Sequence, residues 1–398
     1  MTQAPSAPRL PVERTDPFDP PSRIGELRET EPISRLLYPD GHVGWLVTNY
    51  ALIRRIFADK RFSSRQELRH FPLDHPLARR PPEPAKPGMF IRMDGEEHSH
   101  YRRLLTGQFT VRRMKALEPR VQEIIDDSLD GLEAAGPGAD LVEHFALPVP
   151  SLVICELLGV PYGDREKFQH NSKLIMRLDT GEAEVYAAFG AMEEFLGELV
   201  DAKLAAPTDD ILGGLCATGE LDREELVNMG FLLLVAGHET TANMLGLGTF
   251  ALLTHPGELA ALRADPGVVD GAVEELLRYL SIIQFGATRA ALEDVDLDGV
   301  TVKAGECLVL SVQGANRDPE RFEEPDRLDV TRSAQGHLSF GHGVHQCLGQ
   351  QLARVEMRLG YASLFKRFPD LRLAVPPSEV PTRTDMVIYG VHKLPVEW

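Results

Sequence analysis

Apolar residues recur three or four positions apart through most of the chain, the spacing that places them on one face of an α-helix. This spacing predicts helices over 50–57, 98–109, 114–135, 147–158, 164–207, 221–254, 270–280 and 348–361, with Gly181 breaking the fifth segment into two helices. Alternating runs predict strands at 44–48, near 285–289, at 300–302 and 308–312, and within 371–375 and 387–398. The expected fold is therefore mainly α with a minor β portion.

The same pattern predicts a single folded domain over 22–398, preceded by a flexible, proline-rich tail over 1–21. Between 65 and 87, proline, charge and histidine interrupt every periodicity, which indicates a long surface loop. Loops of that length inside a compact domain are usually lids or ligand contacts.

Composition and charge narrow the class of protein. A net charge of -18 over 398 residues argues against nucleic-acid binding, which needs a basic surface. Four widely separated cysteines form neither a disulfide framework nor a zinc finger, and they suit a reducing cytosol. The N-terminal residues lack the apolar core of a signal peptide, so a cytoplasmic protein is expected. The most apolar window, 229–253, carries His238, Glu239 and Asn243 at its centre, which indicates a buried helix rather than a membrane span.

One cysteine stands out by its surroundings. Cys347 lies in the sequence Phe-Gly-His-Gly-Val-His-Gln-Cys-Leu-Gly, residues 340–349, directly before a predicted helix. Free backbone N–H groups at a helix N-terminus favour a thiolate, which is a nucleophile, a redox centre or a metal ligand. Gly343 and Gly349 are expected to allow turns that a side chain would forbid and to let a flat, bulky group lie against the backbone. The alternative is an inert, buried cysteine in a glycine-rich turn.

A second candidate site lies in the middle of the longest predicted helix, in the sequence Ala-Gly-His-Glu-Thr-Thr over 236–241. The hydroxyl of Thr240 can bond back to a carbonyl one turn earlier and open a local groove. Glu239 beside it could relay protons from solvent. The alternative is a helix-bending threonine with a solvated glutamate. A zinc His-Glu-x-x-His motif is excluded, because Ala242 stands where the second histidine is required.

The pattern Phe-x-x-Gly-x-His-x-Cys-x-Gly resembles the haem-binding loop of the cytochrome P450 superfamily, and the wider sequence is similar to its soluble actinobacterial branch of secondary-metabolite and xenobiotic oxidation. The resemblance implies a single-domain fold shaped like a triangular prism, with a long central helix over a haem b. Cys347 would be the axial iron ligand, and Thr240 and Glu239 would deliver protons during dioxygen activation. Further haem contacts implied in the two motifs are Phe340, Gly349, Ala236 and Gly237.

Other positions take their expected roles from the same resemblance. The haem propionates would be held by His98, Arg102, Arg289 and His345, each of which alone could be an ordinary surface group. A buried structural network would be formed by Glu275, Arg278 and Arg327. The substrate pocket would be lined by Ile91, Leu232, Leu233, Ala236, Phe285, Ala287, Val387 and Ile388, for which plain core packing is the alternative. Phe285 and Ala287 are expected to share the strand face of Arg289.

The function implied is hydroxylation of an unactivated C–H bond of a lipophilic small molecule, such as a polyketide, macrolide, terpenoid or steroid. Dioxygen and two electrons from a separate ferredoxin and its reductase would be consumed, since no flavin or iron–sulfur motif is present. A basic cluster could dock the acidic partner or could simply be solvated; it comprises Arg102, Arg103, Arg112, Arg113 and Lys115, with Arg354 and Arg358 nearby. A monomer without membrane attachment is expected. The rival functions are a haem-thiolate oxidase that couples or rearranges without oxygen insertion, and a non-catalytic haem sensor or carrier.

Overall fold

A computed structural model describes residues 7–76 and 83–398, so parts of the predicted tail and of the predicted 65–87 loop (1–6 and 77–82) lie outside the described residues. Most of the described chain is helical. The helices are α1 Ser22–Thr30, α2 Tyr50–Ala58, α3 Gly95–Thr106, α4 Val111–Ala135, α5 Pro148–Leu158, α6 Arg165–Met176, α7 Glu182–Ala205, α8 Ile211–Thr218, α9 Arg223–Thr254, α10 Pro256–Ala264, α11 Val269–Leu280, α12 Val312–Ala315 and α13 Gln350–Arg367.

The strands form one mixed sheet and two short hairpin-like pairs. They are β1 Ile33–Leu37, β2 Val43–Val47, β3 Phe62–Ser63, β4 Ala287–Ala291, β5 Val295–Leu297, β6 Val300–Val302, β7 Cys307–Leu310, β8 Arg372–Leu373 and β9 Val396–Glu397. The five-stranded sheet has the order β1-β2-β7-β4-β3, and only the β2–β7 pair in it is parallel. The prediction of a mainly α fold with a minor β portion is confirmed.

The longest helix, α9, is the centre of the core and packs against α5, α7 and α13. It begins with a capping box, in which Asp222 accepts from the Glu225 N–H at 2.9 Å and the Glu225 carboxylate accepts from the Asp222 N–H at 2.7 Å. Close packing at its middle depends on Gly237, because a Cβ there would lie 2.7 Å from the Ile154 side chain of α5. Packing against these neighbours therefore fixes the position of α9 at the candidate site.

Several helix boundaries lie at the glycine and proline residues that predict them, while other elements were not predicted. Gly181 separates α6 from α7, as predicted. Pro256 not only ends α9 but begins α10, since proline suits the first helical position. The helices α1, α8, α10 and α12 and the strands β1, β3 and β5 have no predicted counterpart, because such short elements carry too few apolar repeats to show a period.

The described part of the predicted tail packs against the body instead of lying free. Leu10 and Phe18 are 8% and 6% exposed. The buried guanidinium of Arg317 donates to the Phe18 carbonyl at 3.1 Å, and the Tyr389 hydroxyl donates to the Pro17 carbonyl at 2.8 Å. Two apolar anchors and these bonds outweigh the proline-rich composition that suggested flexibility.

The predicted buried network exists, but its third member is a different arginine. Arg278 donates to both Glu275 oxygens at 2.7 and 2.8 Å, and both side chains are fully buried. Arg332 pairs with Glu275 at 3.3 Å with its side chain 12% exposed. Arg327 is 58% exposed and pairs with Glu324 instead, so its predicted place in the network is wrong. Only the backbone carbonyl of Arg327 takes part, as an acceptor for Arg278 at 3.3 Å.

None of the helices in the described ranges combines the length and the apolar character needed to cross a membrane.

Candidate functional site

The loop that carries Cys347 is held by tight turns before α13. The Cys347 N–H donates to the Phe340 carbonyl at 2.9 Å, which closes the loop on itself. Gly343 has a φ of +75°, and a Cβ there would lie 2.6 Å from the Phe57 carbonyl, so glycine is required. Gly349 has an ordinary φ of -82° as N-cap of α13, so the turn predicted to need glycine there is wrong. A Cβ on Gly349 would meet nothing within 4 Å, which leaves open space beside the backbone.

Cys347 is the exposed cysteine of the four, while Cys155, Cys216 and Cys307 are buried. Nevertheless, desolvation by the surrounding protein raises the pKa of the Cys347 thiol, an effect opposed by the backbone N–H of Gly349 and by the charge of Arg102. A side chain that is accessible and yet desolvated borders an internal space rather than bulk water. N–H groups near the start of α13 are aimed at the sulfur, as predicted for a helix N-terminus.

The middle of α9 has an accessible patch within an otherwise buried helix. Ala236 is exposed and Gly237 and Thr240 are partly exposed, whereas their neighbours Val235 and Glu239 are buried. The Thr240 hydroxyl donates to the Ala236 carbonyl at 3.1 Å, which confirms the predicted bond to the preceding turn. The patch therefore presents a small methyl group and a hydroxyl to open space.

Glu239 faces the other way, into a buried polar cluster that the sequence did not reveal. Its carboxylate accepts from Arg383 at 3.1 Å and from the Asn243 amide at 3.3 Å. Arg383 is 11% exposed and belongs to the C-terminal segment after α13. In this arrangement the acid is paired and held away from Thr240, so a proton route through it requires the Arg383 pair to open.

The predicted propionate residues lie together at the start of α3 and in the cysteine loop. The rings of His98 and His345 are 4.2 Å apart, and the His345 Nε2 lies 3.3 Å from the Asp94 carboxylate. Burial, together with the charges of His345 and Arg102, lowers the pKa of His98 to about 4. The His98 Nε2 is buried without a hydrogen-bond partner. Although burial pushes the pKa of Asp94 up, hydrogen bonds from His345 and Ser63 bring it down to about 2.

Three arginines surround the same space. Arg102 donates to the Gln346 carbonyl at 2.6 Å, directly beside Cys347. Burial lowers the pKa of Arg289 to about 10, and its guanidinium donates only to the neighbouring Thr288 carbonyl, at 2.9 Å, among the described residues. Burial alone lowers the pKa of Arg92 to about 10, and this residue was missed by the sequence reasoning. The sequence feature that could have identified Arg92 is a single arginine between the apolar residues Ile91 and Met93.

The residues predicted to line the substrate pocket differ in how far they are buried. Leu232, Leu233 and Ile388 are buried in the main core, and Val387 is partly buried against it. Ile91 is 43% exposed at the start of the segment leading to α3. Their place around a substrate stays a prediction.

Phe285 departs from the expected alternation. Gly286 adopts a φ of +70°, which turns the chain just before β4. Ala287 therefore packs with the sheet cluster that contains Leu308, the cross-strand partner of Arg289, whereas Phe285 packs with a different cluster that contains Cys307. The shared face predicted for Phe285 and Arg289 is wrong.

The predicted basic cluster is smaller than its sequence suggests. Arg354 pairs with Glu274 at 2.6 Å, and Arg358 pairs with Glu118 and lies 3.5 Å from Asp270. The members of the cluster without a carboxylate partner within the described ranges lie in the second half of α3 and at the start of α4: Arg102, which bonds to the Gln346 carbonyl, and Arg103, Arg112, Arg113 and Lys115.

Comparison with known proteins decides the family. A family model described as Cytochrome P450 matches residues 194–395. Cytochrome P450 105C1 of a Streptomyces species is 50% identical, over 100% of both chains. Pentalenic acid synthase of Streptomyces avermitilis is 46% identical, over 98% of this chain and 97% of the relative. The crystal structure of CYP105P1 in complex with filipin I superposes with a TM-score of 0.93 at 44% identity, over 99% of each chain.

The chain belongs to the cytochrome P450 family. It is a monooxygenase, and the cofactor of the family is a haem with a cysteine thiolate ligand. The helical single-domain fold of its structural neighbours is shared over the whole chain.

The residues of this P450 chain fit such a group. A haem carries two propionate carboxylates, and the site offers the unpartnered His98 Nε2 together with Arg289 and Arg92, neither of which has a carboxylate partner among the described residues. The accessible Cys347 thiol would provide the metal ligand. Buried cations without counterions are costly, so an anionic occupant accounts for a cluster that would otherwise destabilise the fold.

Proposed function

We propose that this P450 enzyme binds haem b through Cys347 and hydroxylates an unactivated C–H bond of a lipophilic small molecule, using dioxygen and two electrons from a separate ferredoxin and its reductase. The observation that carries the proposal is the accessible, desolvated thiol of Cys347 beside Arg102, with unpartnered cationic groups around the same space. A bound haem would supply dioxygen activation there. The protein would act in the cytoplasm as a monomer.

In this proposal each part of the site has one task. The N–H of Gly349 and the charge of Arg102 oppose the effect of burial, which raises the pKa of the Cys347 thiol, and a bound haem iron would hold the sulfur as thiolate. His98, Arg102, Arg289 and His345 hold the propionates, and Arg92 joins them. Thr240 offers a hydroxyl at the accessible patch, and Glu239 supplies protons when its pair with Arg383 opens. Ala236 leaves the space that a larger side chain would fill.

The substrate class is proposed from the apolar character of the lining and from the relatives. Leu232, Leu233 and Ile388 are the buried apolar side chains proposed to frame the pocket, with Ile91, Ala287 and Val387 around it. One relative is named for pentalenic acid and another was crystallised with filipin I. A lipophilic secondary metabolite of the polyketide, macrolide, terpenoid or steroid type fits these observations.

The first test is the absorption spectrum of the purified protein, reduced with dithionite and exposed to carbon monoxide. We expect the strongly red-shifted Soret band of thiolate-ligated haem, which Cys347→Ser abolishes. Cys216→Ala is the matched control, because Cys216 lies in α8 outside the cysteine loop. Retention of the red-shifted band in Cys347→Ser, or its loss in the control alone, would overturn the assignment of the ligand.

The second test separates hydroxylation from its rivals. Lipophilic compounds that shift the haem spin state are incubated with a surrogate ferredoxin system under ¹⁸O-labelled dioxygen. One labelled oxygen atom per product over many turnovers supports a hydroxylase. Coupled or rearranged product without label would identify an oxidase, and absence of turnover with every bound compound would favour a sensor or carrier.

A further inference from the structure

A group of nitrogen and sulfur donors lies away from the proposed haem site. Its members come from the turn between β1 and β2, from the segment after β3 and from the start of β7. Within the residues that the structure describes, His42, His70 and Cys307 place one possible ligand atom each within 4.8 Å of one another. His42 and His70 are half-buried, and Cys307 is fully buried. We propose that these three residues bind one divalent cation of the zinc class, independently of the haem.

The orientation of the side chains assigns the donor atoms. The His42 Nε2 lies next to Cys307, whose backbone N–H donates to it at 3.2 Å. The His70 Nδ1 is bonded to the Asp40 carboxylate, so the Nε2 of His70 is the free donor. The Cys307 Sγ lies 3.1 Å from the Leu68 carbonyl, to which the thiol donates. Two imidazole nitrogens and one sulfur thus come from three separate segments, and the His42 Nε2 becomes available to a cation once its bond from the Cys307 N–H breaks.

Neighbouring groups supply the support that a metal site requires. A metal-bound histidine commonly donates its second ring nitrogen to a carboxylate, as His70 does toward Asp40. The hydroxyl of Tyr38 is buried with no hydrogen-bond partner. Burial, with the nearby Cys307, raises the pKa of that phenol. A water bound to the cation would satisfy this hydroxyl.

The chemistry of the donors selects the cation. Imidazole and thiolate together suit Zn²⁺, whereas Mg²⁺ and Ca²⁺ prefer oxygen ligands. On binding, the Cys307 thiol releases its proton to solvent and the sulfur gains a metal bond in place of its bond to the Leu68 carbonyl.

Binding requires a small rearrangement. The rings of His42 and His70 are stacked, with centroids 3.8 Å apart and planes at 8°, so their lone pairs run parallel instead of converging. One ring must rotate out of the stack. The donors must also close from within 4.8 Å to the roughly 3.5 Å spacing of a tetrahedral zinc site. The ring rotation involves half-buried histidines, whereas Cys307 is fully buried in β7, so the histidines must supply most of the movement.

The consequence concerns the segment that leads to the haem site. His70 lies between β3 and the stretch that carries Ile91, Arg92 and Asp94. A cation bound to His70 would tie the beginning of this segment to the sheet through Cys307 of β7.

The experiment uses full-length, haem-loaded, untagged protein and Zn²⁺ alone, titrated against a chelating indicator, with zinc per haem then measured by mass spectrometry after gel filtration. We expect one zinc per chain. His70→Ala weakens binding at least about 100-fold, and Asp40→Asn weakens it about 10- to 100-fold, as expected when a carboxylate that orients a metal-bound histidine is lost. His100→Ala, which removes an imidazole from α3, leaves the affinity unchanged.

Several results would overturn the proposal. They are no zinc bound at micromolar concentration, equal affinity in the wild type and in His70→Ala, or equal losses in His70→Ala and His100→Ala. Cys307→Ser is a second variant, expected to weaken binding like His70→Ala. Its folding is verified by an unchanged carbon monoxide spectrum, because Cys307 is fully buried in the sheet.

Discussion

At the scale of single residues, the proposed proton chemistry depends on two neighbours in α9 that face different surroundings. Thr240 bonds to the preceding turn and lies at the accessible patch, while Glu239 is buried in its pair with Arg383. A buried ion pair that loses one partner leaves an uncompensated charge, so the pair opens only when another group or water replaces Arg383. This gives Arg383 a positioning role for Glu239.

We expect Thr240→Ala to consume dioxygen but to release hydrogen peroxide in place of hydroxylated product. Groups that transfer protons contribute roughly 10²–10⁴-fold, so the yield of product per electron pair falls at least about tenfold. The measurement is the ratio of product to NADH and to peroxide in a ferredoxin-supported assay.

Thr249→Ala is the matched control for that experiment. Its hydroxyl makes the same kind of bond, to the Leu245 carbonyl at 2.8 Å, in a fully buried part of α9. It should leave the coupling unchanged. Tight coupling in Thr240→Ala, or equal uncoupling in both variants, would contradict the role of Thr240.

At the scale of elements, the loop between α12 and α13 is fastened to α11 by charge. Arg278 on α11 donates to the Asn316 and Pro325 carbonyls at 2.8 and 2.7 Å, and Arg332 brings the end of the segment to Glu275. Sequence spacing identified Glu275 and Arg278, because an i,i+3 pair on a helix is local. It chose the wrong third arginine, because the path of an irregular segment is not periodic.

The contributions of Arg332 and Arg327 to the network can be compared through the stability of their alanine variants. Arg332→Ala is expected to lower the free energy of unfolding by about 1.5–3 kcal/mol, the range for a hydrogen bond to a charged group. Arg327→Ala should cost less than about 1 kcal/mol, as for an exposed ion pair. Urea unfolding of the two variants gives the comparison, and a larger loss in Arg327→Ala would restore the original assignment.

A second tie joins α11 to α13 and makes stability depend on pH. Although burial raises the pKa of Glu274, hydrogen bonds from His337 and Arg354 lower it to about 2, below its ordinary value of 4.5. Between these values the unfolded chain binds the proton and the folded chain does not. The stability from this carboxylate is therefore complete above pH 4.5 and is lost as the pH falls toward 2.

We expect Glu274→Gln to be less stable than the wild type at pH 7 and to lose less stability when the pH is lowered to 3.5. Urea midpoints at the two pH values measure this difference. Glu26→Gln, at an exposed pair with Arg23, is the control and should follow the wild type. Parallel pH profiles for wild type and Glu274→Gln would show that this carboxylate does not couple α11 to α13.

At the scale of the whole molecule, an acidic protein presents a small basic area at the end of α3 and the start of α4. The net charge is -18, yet the cations at the end of α3 and the start of α4 lack carboxylate partners among the described residues. Val111, 65% exposed, lies beside Arg112 and adds an apolar contact. A negatively charged ferredoxin would be repelled by most of the surface and attracted here.

Charge reversal tests this docking area. Arg112→Glu should slow reduction by ferredoxin several-fold at low salt, with a difference that shrinks at high salt, while reduction by dithionite is unchanged. Arg23→Glu on α1 makes the same change of charge at another exposed site and is the control. Equal slowing by both variants would point to net charge and not to a docking site.

The sequence by itself determined what depends on local pattern. Helical periodicity, the break at Gly181 and the acidic start of α9 were readable, because caps and apolar spacing act within a few residues. The motifs around Cys347 and Thr240 could be recognised for the same reason, because each consists of consecutive residues.

Only the tertiary structure decided which distant groups meet. It put Arg332 in place of Arg327, joined Arg383 to Glu239, placed Arg92 near the haem site and gathered His42, His70 and Cys307. Apart from Glu239 in the middle of α9, each of these residues lies in or beside a turn or irregular segment, where no period indicates which side chain is desolvated. Long-range approach of such segments depends on the packing of the whole core, so the partners of a charge become visible only in the folded chain.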